Sequence, residues 1–173
     1  MKQAFIAIGS NLGDRVANFK RALKILCSHP EIELMAISRL YENRPVGIES
    51  ANWFLNAVLE VRTGLSPEDL MDFLLKTERI LGRDRSKGPD RVIDLDLLNY
   101  QGFCQSGQGL FGLILPHPRF HQRDFVLIPF AEIAPDLKPE GFEKTVSELL
   151  KDLGPLDGDG LKEAGNIELA TAC

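Results

Sequence analysis

The chain has 173 residues, 44% of them hydrophobic and 26% charged, with a formal net charge of −5. That length points to one domain with enough apolar residues for a core, and the negative balance excludes a global field for nucleic acid or an anionic membrane. The N-terminal apolar run is too short for a secretion signal, and no segment approaches the ~20 apolar residues of a spanning helix, so a cytoplasmic protein with no membrane association is expected. Three cysteines (Cys27, Cys104, Cys173) without a C-x-x-C pair argue for reduced thiols rather than a disulfide framework or a zinc finger.

In chain order, Ala4 to Ile8 is a continuous apolar run fit for a buried strand. The stretch from Gly9 to Asp14 is a turn. Its Gly9-x-x-x-Gly13 lacks the Gly-Lys-Ser/Thr of a phosphate loop and reads as close backbone packing. Val16, Phe19, Leu23, Leu26 and Cys27 then recur at helical spacing, and His29-Pro30 ends that helix. Glu33 to Leu40 reads as a strand and Tyr41 to Ala51 as a long loop. Phe54 to Thr63 is a clear strand. Ser66-Pro67-Glu68-Asp69 opens a second helix with a capping serine, a proline in the first turn and two acids, and Gly82 closes it. A basic loop and a strand from Asp94 to Tyr100 follow. Gln101 to Gly112 reads as a hairpin or exposed loop, Phe125 to Phe130 as a short helix, and Thr145 to Leu153 as a last helix. This order suits an α+β fold, a ferredoxin-like α/β sandwich with a mainly antiparallel sheet and helices packed on it. Residues 1–153 are expected to form the single domain and 154–173 a polar tail with little pattern.

The chemistry concentrates around Asp94-Leu95-Asp96. Side chains of a strand alternate, so the two acids share one face while Leu95 and Leu97 share the other. Paired carboxylates repel unless a cation lies between them, and a hard dication completed by phosphate oxygens is the common arrangement for Mg²⁺. Arg83, Arg85, Lys87 and Arg91 lie just upstream, so acids for metal sit beside bases for phosphate, the composition of a phosphoryl-transfer site. The bland alternative is an exposed strand edge carrying two acids. The loop has almost no apolar anchor and is expected to close over a bound triphosphate.

Along the Phe54–Thr63 strand, Leu55, Ala57, Leu59 and Val61 form the core face, while Phe54 and Asn56 share the opposite one. A ring and a carboxamide two residues apart suit a planar heterocycle, against the simpler reading of an exposed phenylalanine and a turn asparagine. From its own segment Phe125 is better read as core. His117, framed by Pro116 and Pro118, is fixed at the surface, and its spacing to His121 does not make a zinc pair because Pro118 breaks any common helix. Glu78 is either a solvated acid or a partner that orients Arg83.

Taken together, Ala4–Gly13, Tyr41–Gly47, Phe54-Leu-Asn-Ala57, Gly82-Arg83, Asp90-Arg-Val-Ile-Asp-Leu-Asp-Leu-Leu98 and the stretch from Pro116-His-Pro-Arg to Phe130 resemble 6-hydroxymethyl-7,8-dihydropterin pyrophosphokinase of folate synthesis, over roughly residues 3 to 137. The resemblance implies transfer of the β,γ-pyrophosphoryl unit of ATP to the pterin hydroxymethyl oxygen with release of AMP. It implies two Mg²⁺ ions on Asp94 and Asp96. It implies a pterin held between Phe54 and Phe125, read by Asn56 and closed by the loop bearing Asn43 and Val46. Arg83, Arg91 and Arg123 are implied as phosphate-binding arginines, the first two acting on the reacting phosphates, with Glu78 and His117 as further nucleotide-site residues. The Arg83–Asp94 loop is short for that family, and Gly88-Pro89-Asp90 stands where some members carry an aromatic.

Two rivals share parts of this pattern. A metal-dependent nucleotidyltransferase or nuclease also uses paired acids, but favours a broadly basic surface. A non-catalytic ferredoxin-like module for RNA places aromatics in the middle of a basic sheet face, whereas here acids occupy the strand.

Overall fold

The computed structural model describes residues 1–105, 113–154 and 160–172. Its elements run β1 (Lys2–Ser10), α1 (Arg15–Cys27), β2 (Ile32–Ile37), β3 (Leu40–Asn43), β4 (Phe54–Thr63), α2 (Pro67–Ile80), β5 (Asp94–Tyr100), α3 (Asp124–Ile133), α4 (Val146–Asp152), β6 (Leu161–Gly165) and α5 (Leu169–Ala172). Strand order is β5-β1-β4-β3-β6, with β2 also on β4, and every pairing is antiparallel. This is the expected α+β sandwich.

Local signals explain the helix starts. The Asp14 carboxylate accepts the Ala17 N–H at 2.9 Å, and the Ser66 hydroxyl accepts the Asp69 N–H at 3.1 Å, each satisfying an otherwise orphaned donor. Thr145 and Glu148 form a reciprocal capping box on α4.

Both faces of the sheet are covered. On one, α1 and α2 bury Phe19, Leu23, Leu26, Leu70 and Leu74 against Ile6, Ile8, Leu55, Leu59, Leu95 and Leu97. On the other, α3 and α4 bury Val126, Leu127, Phe130 and Val146 against Phe5, Val58 and Leu98.

Three sequence expectations need correction. The 41–51 segment is not all loop, because Leu40–Asn43 forms β3. It and β2 lie end to end along β4, separated where Ser38 exchanges hydrogen bonds with Val58 through its N–H and hydroxyl. The stretch after Gly154 carries more order than its composition suggests: β6 pairs with β3, and Ile167 and Ala172 are buried in the main core. Hydrogen bonding along an open sheet edge, rather than side-chain pattern, stabilises that strand. Finally, Cys27 is disulfide-bonded, whereas Cys104 is free and exposed; spacing along the chain carries no information about such proximity. The hairpin expected over 101–112 falls mostly outside the described residues, although Gln105 pairs with Leu115. No described helix is long and apolar enough to cross a membrane.

Candidate active site

The register of three strands builds the floor of a cleft. Gly9 on β1 faces Asn56 on β4 and Asp94 on β5, and one pleat further Ala7 faces Val58 and Asp96. Directly opposed residues in an antiparallel sheet share a face. The two motifs read separately from sequence, Phe54-x-Asn56 and Asp94-x-Asp96, therefore lie on one surface, one strand apart. The intervening strand has only glycine and alanine there. An added Cβ at Gly9 would lie 2.9 Å from Asn56 Oδ1, so the absence of a side chain is what lets the carboxamide lie across this strand.

Over that floor stands a cavity of roughly 350 Å³. Its walls come from the loop after β3 (Val46, Gly47, Ile48), the basic loop (Arg83, Arg91), the segment before α3 (His117, Arg119, Arg123) and the start of α3 (Phe125, Val126). Eleven of the sequence-derived site residues line it: Asn43, Val46, Phe54, Asn56, Phe125, Arg83, Arg91, Asp94, Asp96, His117 and Arg123. Phe125 is thus a wall residue rather than the core phenylalanine its own segment suggests.

Asn56 Nδ2 donates to Asn43 Oδ1, and Asn43 Nδ2 donates to the Arg44 carbonyl at 2.7 Å, so one amide orients the other. Val46 is 67% exposed, an apolar residue left at the rim. Phe54 carries the Arg91 guanidinium 5.1 Å from its ring centroid, and Phe125 carries that of Arg123 at 5.6 Å.

Arg91 Nη1 donates to Asp94 Oδ2 at 2.7 Å, and Arg83 Nη1 stands 3.4 Å from Asp94 Oδ1. The second contact is an ion pair without hydrogen-bond geometry: Arg83 Nε and Nη1 and Arg91 Nε are buried donors that make no hydrogen bond. Buried guanidinium donors without a hydrogen bond, on residues that line the cleft, are suited to an anion that brings several oxygens. Burial and the nearby Asp94 charge push the Asp96 carboxyl up to about 6, against the pull of Arg123, Arg91 and Arg83. Burial, then Arg123 and Arg119, push His117 down to about 4. The ring is therefore neutral near pH 7. Its Nδ1 accepts the Arg119 N–H at 3.2 Å, which assigns the proton to Nε2 as a donor. Burial and Arg119 likewise lower the Arg123 pKa.

Glu78 does not line the cavity. It is 2% exposed, and its Oε1 accepts the Leu95 N–H at 2.8 Å, behind the strand and between the two acids. The basic loop is tied by polar bonds at both ends: Arg83 N–H to the Glu78 carbonyl (2.9 Å), and Arg91 N–H to Asn11 Oδ1 (2.7 Å). Between them Asp84 caps a short 3₁₀ turn, Arg85–Lys87; the Arg85 side chain lies outside what is described. Among the described residues there is no group of three or more His, Cys, Asp or Glu side chains placed to hold a metal ion.

A model of the family 7,8-dihydro-6-hydroxymethylpterin-pyrophosphokinase matches residues 5–135, three quarters of this chain. This chain belongs to that family. A 2-amino-4-hydroxy-6-hydroxymethyldihydropteridine pyrophosphokinase of Methylorubrum extorquens is 42% identical over 157 residues, which span 90% of this chain and 96% of the relative. The pyrophosphokinase of the same description from Bacillus subtilis is 40% identical over 139 residues, 79% of this chain and 81% of the relative. Among solved structures, Plasmodium falciparum HPPK-DHPS, wild type with pteroate, superposes with a TM-score of 0.73 at 14% identity, a likeness of fold alone. It covers 87% of this chain and 44% of that one, so the pyrophosphokinase chain described here spans less than half of that solved chain.

Sequence reasoning missed part of this pyrophosphokinase cleft. Ala7 and Gly9 enter only through register. Arg119 was visible within Pro-His-Pro-Arg but gave no separate signal; it becomes a cleft residue because the segment before α3 turns over the sheet.

Proposed function

We propose that this cleft holds both substrates of the family's reaction, the pterin at the Phe54–Asn56 end and the triphosphate at the arginine end. The chain is a pyrophosphokinase: it transfers the β,γ-pyrophosphoryl unit of ATP to the hydroxymethyl group of 6-hydroxymethyl-7,8-dihydropterin, giving AMP and the pterin diphosphate. The observation that carries the placement is the strand register, which sets a heterocycle-sized aromatic and amide end beside an acid and arginine end with only Gly9 and Ala7 between.

In this reading Phe54 and Phe125 stack on the pterin, Asn56 pairs with its polar edge and is held in orientation by Asn43, and the loop at Val46 closes the rim. Arg83, Arg91 and Arg123 meet phosphate oxygens with the guanidinium donors that make no hydrogen bond within the protein or meet only an aromatic face. His117 donates from Nε2 toward the nucleotide. Glu78 contributes from behind by fixing the Leu95 backbone, and with it the directions of Asp94 and Asp96. Alignment and charge neutralisation are the main demands of phosphoryl transfer, and no covalent nucleophile is needed.

The acid pair fits a divalent cation. One carboxyl is held above its ordinary range by burial and by its neighbour's charge, and a cation between them removes that repulsion. With only two acids at this point, the rest of the shell must come from phosphate and water, as Mg²⁺ favours. We assign Asp94 and Asp96 as the holders of two Mg²⁺ ions, which when bound neutralise the triphosphate and polarise it for attack. We further propose that residues 1–153 constitute the pyrophosphokinase domain and that the protein works in the cytoplasm.

The test is product identity. With ATP, Mg²⁺ and hydroxymethyldihydropterin, the nucleotide product should be AMP, formed only when the pterin is present. ADP, or release of pyrophosphate from ATP, would overturn the reading. Activity unchanged in both Asp94→Ala and Phe125→Ala would overturn the placement.

A further inference from the structure

We propose that Asp90 is a positioning residue that tethers the two loops bounding the cleft, so that occupancy of the phosphate end is felt at the pterin end. The inference rests on the substrate placement proposed above. The Asp90 carboxylate receives three side-chain hydrogen bonds from two other segments. Asn11 Nδ2 donates to Oδ1 at 2.7 Å, Ser50 Oγ donates to the same oxygen at 2.5 Å, and Asn52 Nδ2 donates to Oδ2 at 2.7 Å. Ser50 Oγ also accepts the Asn52 N–H at 3.0 Å, so the donor pair is itself held in shape. These bonds keep the Asp90 carboxyl below its ordinary range, the Ser50 hydroxyl first among the causes, and the group is ionised at neutral pH.

What the tether joins gives it a role. Ser50 and Asn52 end the loop that begins after β3, whose Val46, Gly47 and Ile48 form the outer wall of the pterin end. Asp90 precedes Arg91, whose guanidinium bridges Asp94 and the Phe54 ring. Asn11 completes the link. Its carboxamide takes the Arg91 N–H at 2.7 Å while donating to Asp90, and its own N–H donates to the Arg91 carbonyl at 3.1 Å. Asn11 is buried at the end of β1, so the Arg91 backbone is clamped to the sheet. Any shift of the basic loop toward phosphate must therefore move, or break from, the wall of the pterin pocket. Two loops without this link would respond independently. A shared charged acceptor makes them one element whose position both ligands bias.

The experiment measures coupling in the full chain. The dissociation constant of hydroxymethyldihydropterin is determined by calorimetry with and without saturating Mg²⁺ and α,β-methylene-ATP. For the wild-type protein the nucleotide should tighten pterin binding by about tenfold, within the range ordinary for coupled sites. In Asp90→Ala that factor should fall to about threefold or less, while affinity for the nucleotide analogue alone stays close to wild type and a cooperative, somewhat lowered melting transition shows that the fold is kept. Asp90→Asn should retain part of the coupling, because one carbonyl oxygen can still accept from Asn11 and Ser50. The Ser50→Ala/Asn52→Ala pair should reproduce the loss without touching the basic loop, and should add nothing in the Asp90→Ala background. Wild-type coupling preserved in Asp90→Ala, no coupling in the wild-type protein, or losses that simply add would each overturn the tether. Pterin-dependent AMP formation by the wild-type protein alongside such a result would sink the tether alone and leave the pyrophosphokinase placement standing.

Discussion

The two faces of the central sheet are made from the same strands and end in opposite uses. On the α1/α2 face the inward positions of β4 are apolar from Leu55 through Ala57 and Leu59 to Val61, with only the buried Thr63 polar at the strand's end, and the helices close over them. On the α3/α4 face the apolar residues stop half-way. Phe5, Val58 and Leu98 take the helical cover, while the adjoining half carries Asn56, Gly9, Asp94 and Asp96 and stays open as the cleft. A helix needs an apolar patch to dock on, and glycine, asparagine and aspartate do not supply one. The residues that refuse a core are thus the ones that leave room for substrates, and the molecule carries its site where packing ends rather than on a separate loop platform.

The comparison is broken most sharply at Asp96. Asp96→Asn should lower turnover on the order of a thousandfold, as removal of a charge-positioning group in a buried site does. The same change should stabilise the ligand-free protein. Because the folded carboxyl titrates at about 6, above its unfolded value, proton binding favours the folded state. That contribution is complete below about pH 4 and is lost as pH rises through 6. Melting curves should therefore show Asp96→Asn above wild type at pH 8 and level with it near pH 4. A lower melting temperature at pH 8 would mean Asp96 is an ordinary structural acid. On the closed face, Leu59→Ala should do the reverse, costing roughly 2–5 kcal/mol of stability by denaturant titration while kcat per folded molecule is kept.

Phe125 sits at the boundary between the covered and open halves. Its truncation should weaken pterin binding about tenfold, by analogy with base–aromatic stacking, with little change for ATP. Equal losses for both ligands would move Phe125 to the packing side of the comparison. The smallest effect should come from the surface away from the cleft, where Arg39 bonds the Glu132 carboxylate of α3 at 3.0 Å and Glu163 of β6 at 2.7 Å. Solvent-screened pairs of this kind contribute little, so Arg39→Ala should leave the denaturation midpoint close to wild type and both substrate constants alone.

Much of this was legible in the amino-acid order, because it depends on period and on local chemistry. Alternation over Phe54–Thr63 and Asp94–Tyr100 located two strands to the residue, and Ser66-Pro67 with two acids located the start of α2. The same alternation placed Asp94 with Asp96, and Phe54 with Asn56, on common faces. The motif resemblance then named the reaction that the family match supports.

Tertiary structure decided everything that rests on distance between segments. Strand pairing put the Asn56, Gly9 and Asp94 row together, and no spacing along the chain could do that. It turned Leu40–Asn43, paired on both sides by β4 and β6, and the edge segment Leu161–Gly165 into strands, because short strands can be held by backbone hydrogen bonds that any side-chain pattern permits. It moved Glu78 from the nucleotide wall to the back of β5, where a buried carboxylate finds the Leu95 N–H, and it brought Asp90, Asn11, Ser50 and Asn52 to one point from three separate segments. Sequence fixes which groups a chain owns and which face of its own element each occupies; which groups on different elements meet depends on register and packing, where burial and hydrogen bonding act between residues far apart in the chain.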